Sequence, residues 1–198
     1  MADRKLEILE ATCRVIARQG ADGLRMGTVA REAGVSSALI HYYFDTRADL
    51  LMQAFEHADR KADELALDAM DGIPKAVDRL ERLLLLYGAT NRELHEDWVL
   101  WVEMWRSAIF DDRLAESVRK SAEGWIGQIA GLIDESCTEG SVGRDVDARE
   151  TAIRLAALVD GLGLQLLSGV IAEELAASLI RDALALELGI RNRTGSTA

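Results

Sequence analysis

The chain has 198 residues, 49% of them hydrophobic and 29% charged, with a formal net charge of −11. These are the proportions of a folded globular protein, and the length allows one large domain or a small one fused to a medium one. No apolar run approaches the roughly 18 residues of a membrane span, and the start, MADRKLEILEA, lacks the apolar core of a signal peptide. One Pro among abundant Ala and Leu favours an all-α fold. Cys13 and Cys137 stand far apart, which suggests no disulfide framework and fits a reducing cytoplasm. Residues 1–61 hold nine Lys/Arg and nine Asp/Glu, so the whole negative charge belongs to the C-terminal two thirds.

The first predicted helix spans 4–19. Ile8, Ala11, Thr12, Val15 and Ile16 repeat at the spacing of one buried face, and Gly20 ends the helix. Cys13 falls beside that stripe and reads as a packing residue, since no basic or metal-ligating residue is near it in sequence. The loop Ala21-Asp22-Gly23 leads to Leu24 and Met26, placed to pack on the first helix. Arg25, Gly27 and Thr28 then open a second helix. A helix N-terminus with a glycine beside an arginine suits a phosphate, because unsatisfied N–H groups and the helix dipole face the anion.

The next stretch, Thr28 to Arg47, reads TVAREAGVSSALIHYYFDTR. Val29, Ala30 and Ala33 form the inner side of a short helix. Gly34 can adopt the positive φ that terminates it. Val35 plugs the angle to the next helix, and the Ser36 hydroxyl caps that helix. From Ser37 to Phe44, Ile40, Tyr43 and Phe44 form a buried stripe, leaving Ser37, Ala38, Leu39, His41 and Tyr42 outside. This is a helix-turn-helix whose second helix begins with small residues, the end that enters a DNA major groove.

The residues AGVSSALIHYYFDTRADLL resemble the DNA-binding signature of the tetracycline-repressor (TetR) family of bacterial regulators. In that family a Gly-Val-Ser turn leads to an aromatic-rich helix, a basic residue follows three positions later, and then a leucine pair. Here these are Arg47 and Leu50-Leu51. The family more often has lysine where Arg47 stands and tyrosine where His41 stands. The likeness is close over roughly residues 4–60 and looser beyond, where it is nearest to the BetI-like branch. It implies that Ser36, Ser37, Ala38, Leu39, His41, Tyr42 and Arg47 face DNA together with Arg25, Gly27 and Thr28. By residue type, Tyr42 and His41 suit phosphates, Ser37 and Ala38 let the backbone approach base edges, and Leu39 suits a thymine methyl. This helix has no Arg, Asn or Gln, so specificity must lean on shape, water or apolar contacts. The acidic remainder of the chain repels DNA non-specifically and would orient the neutral first third towards it. Binding should therefore be weak on arbitrary DNA and strongly salt-sensitive.

Thr46 and Asp49 form a capping box for a long helix from Arg47 to about Ala69. Leu50, Leu51, Ala54 and Phe55 pack beneath the helix-turn-helix. Asp71-Gly72-Ile73-Pro74 is the clearest break, with Pro74 placed in the first turn of a helix from 75 to about 94. LLLL at 83–86 marks that helix as buried on more than one side. Trp98, Trp101 and Trp105 then follow one stripe of a helix from Asp97 to Phe110. They either line a cavity for a flat or cationic ligand or belong to the core. Asp111-Asp112 start a helix to about Glu139, carrying Leu114, Val118, Ala122, Trp125, Ile129 and Leu132-Ile133. Asp147 and Glu150 cap a helix to about Ser168, whose face Ile153, Ala156-Ala157, Asp160-Gly161, Leu164 and Leu167 is rich in small residues. The last helix runs Glu173–Leu188, and RNRTGSTA after it should fray.

These last two helices carry more apolar surface than one subunit is expected to cover. The resemblance makes them a four-helix dimer interface, near 147–168 and 173–188. A two-fold dimer independently fits two recognition helices on a palindrome. Asp160 is either paired at that interface or a polar anchor in a ligand pocket. The candidate ligand residues are Tyr87, Trp98, Trp101, Glu103, Trp105, Trp125, Gln128 and Asp160. The BetI-like branch raises a quaternary amine, with tryptophans and Glu103 around the cation. No phosphate-loop, dinucleotide, zinc or triad pattern occurs, and Glu93, His95, Glu96 and Glu103 read as surface groups. No catalytic residue, metal or cofactor is therefore expected. The reading is an all-α protein with a DNA-binding domain at 1–48, a linker helix at 46–70 and a ligand-binding and dimerisation domain at 49–190. It would bind a palindromic operator in the cytoplasm and be released by a small molecule. The alternative is an all-α ligand-binding protein or enzyme with no DNA function.

Overall fold

The computed structural model describes residues 2–88, 95–143 and 145–190. Among them the chain forms nine α-helices and no strand: α1 (Ala2–Gln19), α2 (Met26–Ala33), α3 (Ser37–Tyr43), α4 (Arg47–Met70), α5 (Ala76–Gly88), α6 (His95–Ala108), α7 (Asp112–Thr138), α8 (Ala148–Leu167) and α9 (Glu173–Glu187). A 3-10 turn, Ala21–Gly23, joins α1 to α2. The all-α expectation holds. RNRTGSTA and the predicted continuation of the fifth helix to 94 lie outside the described residues.

The described residues form two compact units. One holds those up to Glu64 and those of the following 95–121 stretch; the other holds the remainder. The units share two helices, since α4 and α7 each contribute residues to both.

In the first unit, α1 buries Ile8, Ala11, Thr12, Val15 and Ile16, the predicted stripe, and also Leu9 and Cys13. That wider arc touches more than one neighbour, and the Cys13 thiol donates to the Ala54 carbonyl of α4 at 3.7 Å. One side meets α2, and α6 lies along another. The cluster so formed includes Leu24, Val29, Ile40, Phe44, Leu50, Phe55, Leu100 and Met104. Phe44 and Phe55 are almost wholly enclosed, and truncating either to Ala should cost about 3–5 kcal/mol. The Thr12 hydroxyl is also enclosed. It donates to the Ile8 carbonyl one turn back, at 2.7 Å, and so is satisfied without leaving its own helix.

The second unit is built on the leucine run. Leu83, Leu84, Leu85 and Leu86 are all buried, and α5 packs on both α8 and α9. Gly88 marks the closest approach. A Cβ there would collide with the Ile180 side chain of α9 and touch Val159 of α8. The helix begins at Ala76, so Pro74 lies two residues ahead of it, contrary to the expected first-turn position. The first N–H is satisfied from outside: the Glu139 carboxylate at the end of α7 accepts from the Ala76 N–H at 3.1 Å. Arg79 pairs with Glu135 at 2.5 Å beside it.

In α8 and α9 the core takes Ala152, Leu155, Ala156, Val159 and Leu162, with Ala176, Ala177, Ile180 and Leu184, and the α9 C-cap Leu188 is buried too. A second apolar stripe is left outside. Ile153, Leu164, Leu175 and Leu179 are 40–50% exposed and Leu186 more so. Arg154 of α8 grips both Glu187 carboxylate oxygens of α9 at 2.9 Å through Nε.

Candidate nucleic-acid interface

The angle between α2 and α3 is set by three local devices. Gly34 ends α2 at φ 66°, and its N–H bonds back to the Ala30 and Arg31 carbonyls. The Val35 N–H bonds to the Ala30 carbonyl at 2.9 Å, completing the helix stop. Ser36 then caps α3, its hydroxyl oxygen accepting from the Leu39 N–H at 3.2 Å. Ile40 and Phe44 are buried, and Tyr43 packs partly against the same cluster. The helix stops at Tyr43; Phe44 is its extended C-cap, one residue short of the expected end.

With that face inside, the opposite one is outside. Ser36, Ser37, Ala38 and His41 are exposed, and Tyr42 is 68% exposed. Leu39 is half-buried rather than outside, because it lies next to Ile40 at the margin of the inner stripe. Tyr42 stands edge-on to Tyr43 at 5.1 Å, which braces a large ring otherwise in solvent. Arg25 is the exposed N-cap of α2, with no side-chain cap of its own, and Gly27 is exposed with open space around its Cα. Thr28 is half-buried, its N–H bonded to the Arg25 carbonyl at 2.9 Å.

The start of α4 behaves as the capping residues foretold, with one difference. The Asp49 N–H donates to the Thr46 hydroxyl at 3.0 Å, while the Asp49 carboxylate reaches back to the Asp45 N–H at 3.3 Å, one residue beyond the cap. Arg47 was expected to face a phosphate. Arg47 is exposed, and its guanidinium also donates to backbone carbonyls, from Nε to Leu24 at 2.9 Å and from Nη2 to Ala21. No sequence signal foretold this, because it joins residues 23 and 26 positions apart.

The candidate ligand residues divide between the units. Trp98, Trp101, Glu103 and Trp105 fall in the first, and Tyr87, Trp125, Gln128 and Asp160 in the second. In the first, Trp101 packs edge-on to Phe55 at 4.9 Å and to Trp105 at 6.2 Å, within the core. The wholly enclosed residues of α6 are Leu100 and Met104, while Trp98, Trp101 and Trp105 are half-buried. The Trp105 indole nitrogen is enclosed without a hydrogen-bond partner among the described residues. Glu103 accepts from Arg106 at 3.1 Å. In the second unit, Tyr87 and Trp125 meet edge-on at 4.8 Å. Gln128 and Asp160 are half-buried. Burial pushes the Asp160 carboxyl up to about 6.

Other titratable groups are explained by their surroundings. Burial pushes the Cys13 thiol up to about 12, reinforced by Asp97, so it stays protonated and unreactive. Burial likewise raises Asp97 to about 6. Asp59 is raised by burial although it accepts from the Ser121 hydroxyl at 2.6 Å. Hydrogen bonds from Arg14 and then Arg18 hold Glu32 low. Glu93 lies outside the described residues. No group of three or more His, Cys, Asp or Glu among the described residues is placed to hold a metal ion.

Comparison with known proteins gives matches along both parts of the chain. Residues 8–54 match the family described as bacterial regulatory proteins, tetR family. Residues 76–189 match the family described as BetI-type transcriptional repressor, C-terminal. The HTH-type transcriptional regulator PksA of Bacillus subtilis is 29% identical over 164 residues, covering 81% of this chain and 77% of that protein. A crystal structure described as a TetR-family transcriptional regulator from Rhodococcus sp. is 32% identical, with TM-score 0.85, over 95% of this chain and all of that one. A transcriptional regulator from Saccharomonospora viridis, solved in complex with choline, is also 32% identical, with TM-score 0.84, over 92% of this chain and 95% of that one.

Proposed function

The chain belongs to the TetR family of bacterial transcriptional regulators, and from that premise we propose that it is a dimeric repressor released from a palindromic operator by a small molecule. The observation that carries the DNA-binding reading is the outer face of α3. Small residues, Ser37 and Ala38, begin it, and Tyr42 and His41 stand at its far end, while Ile40 and Phe44 hold the helix down. The backbone of α3 can then approach base edges, with the aromatic side chains reaching phosphates. Arg25, Gly27 and Thr28 at the start of α2 offer a further phosphate contact. Residues 1–48 act as the DNA-binding domain, α4 links it to the remainder, and residues 49–190 carry ligand binding and dimerisation.

Dimerisation uses the outer stripe of α8 and α9, which supports the reading by its size and apolar character. The ligand we propose is a quaternary amine. The Tyr87–Trp125 pair supplies aromatic faces, and Asp160, in the same unit, supplies a carboxylate without a partner among the described residues. Choline in the Saccharomonospora viridis regulator supports the ligand class. Asp160 serves better than Glu103 as the counter-charge, because Glu103 already accepts from Arg106. For release, the amine must bind the DNA-incompetent state more tightly than the DNA-bound one; equal affinity would shift nothing. The protein works in the cytoplasm, beside its DNA. Among the described residues no helix is long and apolar enough to cross a membrane.

The test is selection from random duplex DNA at moderate salt, with the intact protein beside the Tyr42→Ala variant. The intact protein should enrich an inverted repeat and the variant should not. If neither enriches any sequence, even after unfolding and refolding to strip a carried ligand, the repressor reading fails and a ligand-binding protein without DNA function takes its place.

A further inference from the structure

Arg47 has the place of a phosphate contact but the bonds of a strut. Its Nε donates to the Leu24 carbonyl at 2.9 Å and its Nη2 to the Ala21 carbonyl. Both acceptors are fixed points. Ala21 and Leu24 are each 1% exposed, so the apolar core holds their backbone in place. Both carbonyls sit at the 3-10 turn that leads into α2, and Arg47 sits at the first residue of α4. One guanidinium therefore ties the start of α4 to the start of α2, across 23 residues of sequence.

The chemistry of the Leu24 acceptor gives this tie its consequence. The oxygen that Arg47 holds belongs to the planar peptide joining Leu24 to Arg25. Fixing that plane fixes the direction in which Arg25 leaves it, at φ −126° and ψ 141° as the N-cap of α2. The first turn of α2 is set from the same residue, since the Arg25 carbonyl accepts from the Thr28 and Val29 N–H groups. A second contact to this turn is weaker. Arg106 reaches Asp22 at 3.6 Å, but the Asp22 side chain is 94% exposed, and such surface pairs contribute little. Two charge-assisted bonds to anchored carbonyls outweigh it.

We infer that Arg47 is a positioning residue for DNA binding, aiming the Arg25 side chain at a phosphate rather than meeting a phosphate itself. This rests on the DNA-binding reading above. It differs from a direct contact in how Arg47 and Arg25 combine. A strut that acts through Arg25 contributes nothing once Arg25 is gone, whereas two independent phosphate contacts add. It also distinguishes arginine from lysine. A lysine keeps the charge for a phosphate but lacks the planar fork that spans two carbonyls.

The experiment is a double-mutant cycle on the selected inverted repeat. Operator affinity is read by fluorescence anisotropy across a salt series for the intact protein, Arg25→Gln, Arg47→Met, Arg47→Lys and the Arg25→Gln, Arg47→Met pair. Circular dichroism checks that each is folded at the assay temperature, and if Arg47→Met is not, Arg47→Lys replaces it in the cycle. Arg47→Met and Arg47→Lys should each weaken binding about tenfold. The pair should bind no more weakly than Arg25→Gln alone, with one loss of about 0.9 in the salt slope. Multiplying losses with two such steps in the slope, or full affinity in Arg47→Lys, would overturn the inference while leaving the repressor reading intact. No selected sequence for the intact protein would overturn both.

Discussion

Tyr42 is the side chain whose surroundings least explain it. It is 68% exposed, braced only by Tyr43, and stands beside a capped helix start. A hydroxyl on a phosphate contributes about 0.5–1.5 kcal/mol, so Tyr42→Phe should weaken binding several-fold on every operator variant alike. Anisotropy on two operators differing at one base pair checks this, and a loss confined to one of them would give Tyr42 a base instead. Asp160 makes a prediction in pH. Its folded-state carboxyl is raised to about 6 from an ordinary 3.8. The folded state thus binds this proton more tightly than the unfolded one, so the cost of burying the charge is complete above about pH 7. It fades as pH falls through 6 towards 4. Asp160→Asn should therefore raise stability at pH 7.5 by about 1–3 kcal/mol, and the gain should disappear near pH 4. Urea unfolding at the two pH values measures it; equal stability of variant and parent at pH 7.5 would show that the Asp160 charge carries no burial cost. The pattern of neighbours around Tyr42 was legible in the sequence, because a cap, a turn and a stripe are local. The arrest of Arg47 on the Ala21 and Leu24 carbonyls was not, since nothing local requires it.

At the scale of elements, the turn between α2 and α3 sets where α3 points. Gly34 at φ 66° has open space where a Cβ would stand, so Gly34→Ala would cost about 1–2 kcal/mol from backbone conformation alone. Ser36→Ala removes a cap and should cost about 1 kcal/mol. Thermal unfolding of the two single variants and the double tests whether both act on one junction; losses that simply add would show that they do not. The start of α5 shows why boundaries are harder to read than helices. Pro74 marked the break correctly, but the helix begins two residues later. Its first N–H group is taken up by Glu139, 63 residues away, a partner that no local pattern names. The α6 stripe shows the same limit. Its three tryptophans share a face by spacing, yet the enclosed residues are Leu100 and Met104, which the sequence reading did not single out. Leucine and methionine fit inside the layer against α1, and the larger indoles are left at its margin.

At the scale of the molecule, the exposed apolar stripe on α8 and α9 is the surface proposed for dimerisation. Charging it should abolish dimerisation: Leu164→Glu with Leu179→Glu is expected to sediment as a monomer and to lose most operator affinity, because two half-sites would no longer be bound as one. A variant that stays dimeric would move the interface elsewhere. Ligand and operator are expected to be linked in both directions. Choline should weaken operator binding, and operator should weaken choline binding by the same factor. Calorimetric titration with and without operator checks the equality, and choline that binds neither form would remove the quaternary amine from the proposal.

The approximate places of the helices, the helix-turn-helix with its outer face, and the family likeness were all legible in the residues alone. Each of these follows from spacings within a few residues: apolar periodicity, caps, and a glycine where a positive φ is needed. Packing, by contrast, sets α6 against α1, divides the candidate ligand aromatics between the two units, and carries Arg47 to the start of α2. Each of those depends on which surfaces meet after the helices have formed. Periodicity says that a face is apolar, but not which apolar face covers it, and a charged side chain in sequence carries no mark of the carbonyl it will find.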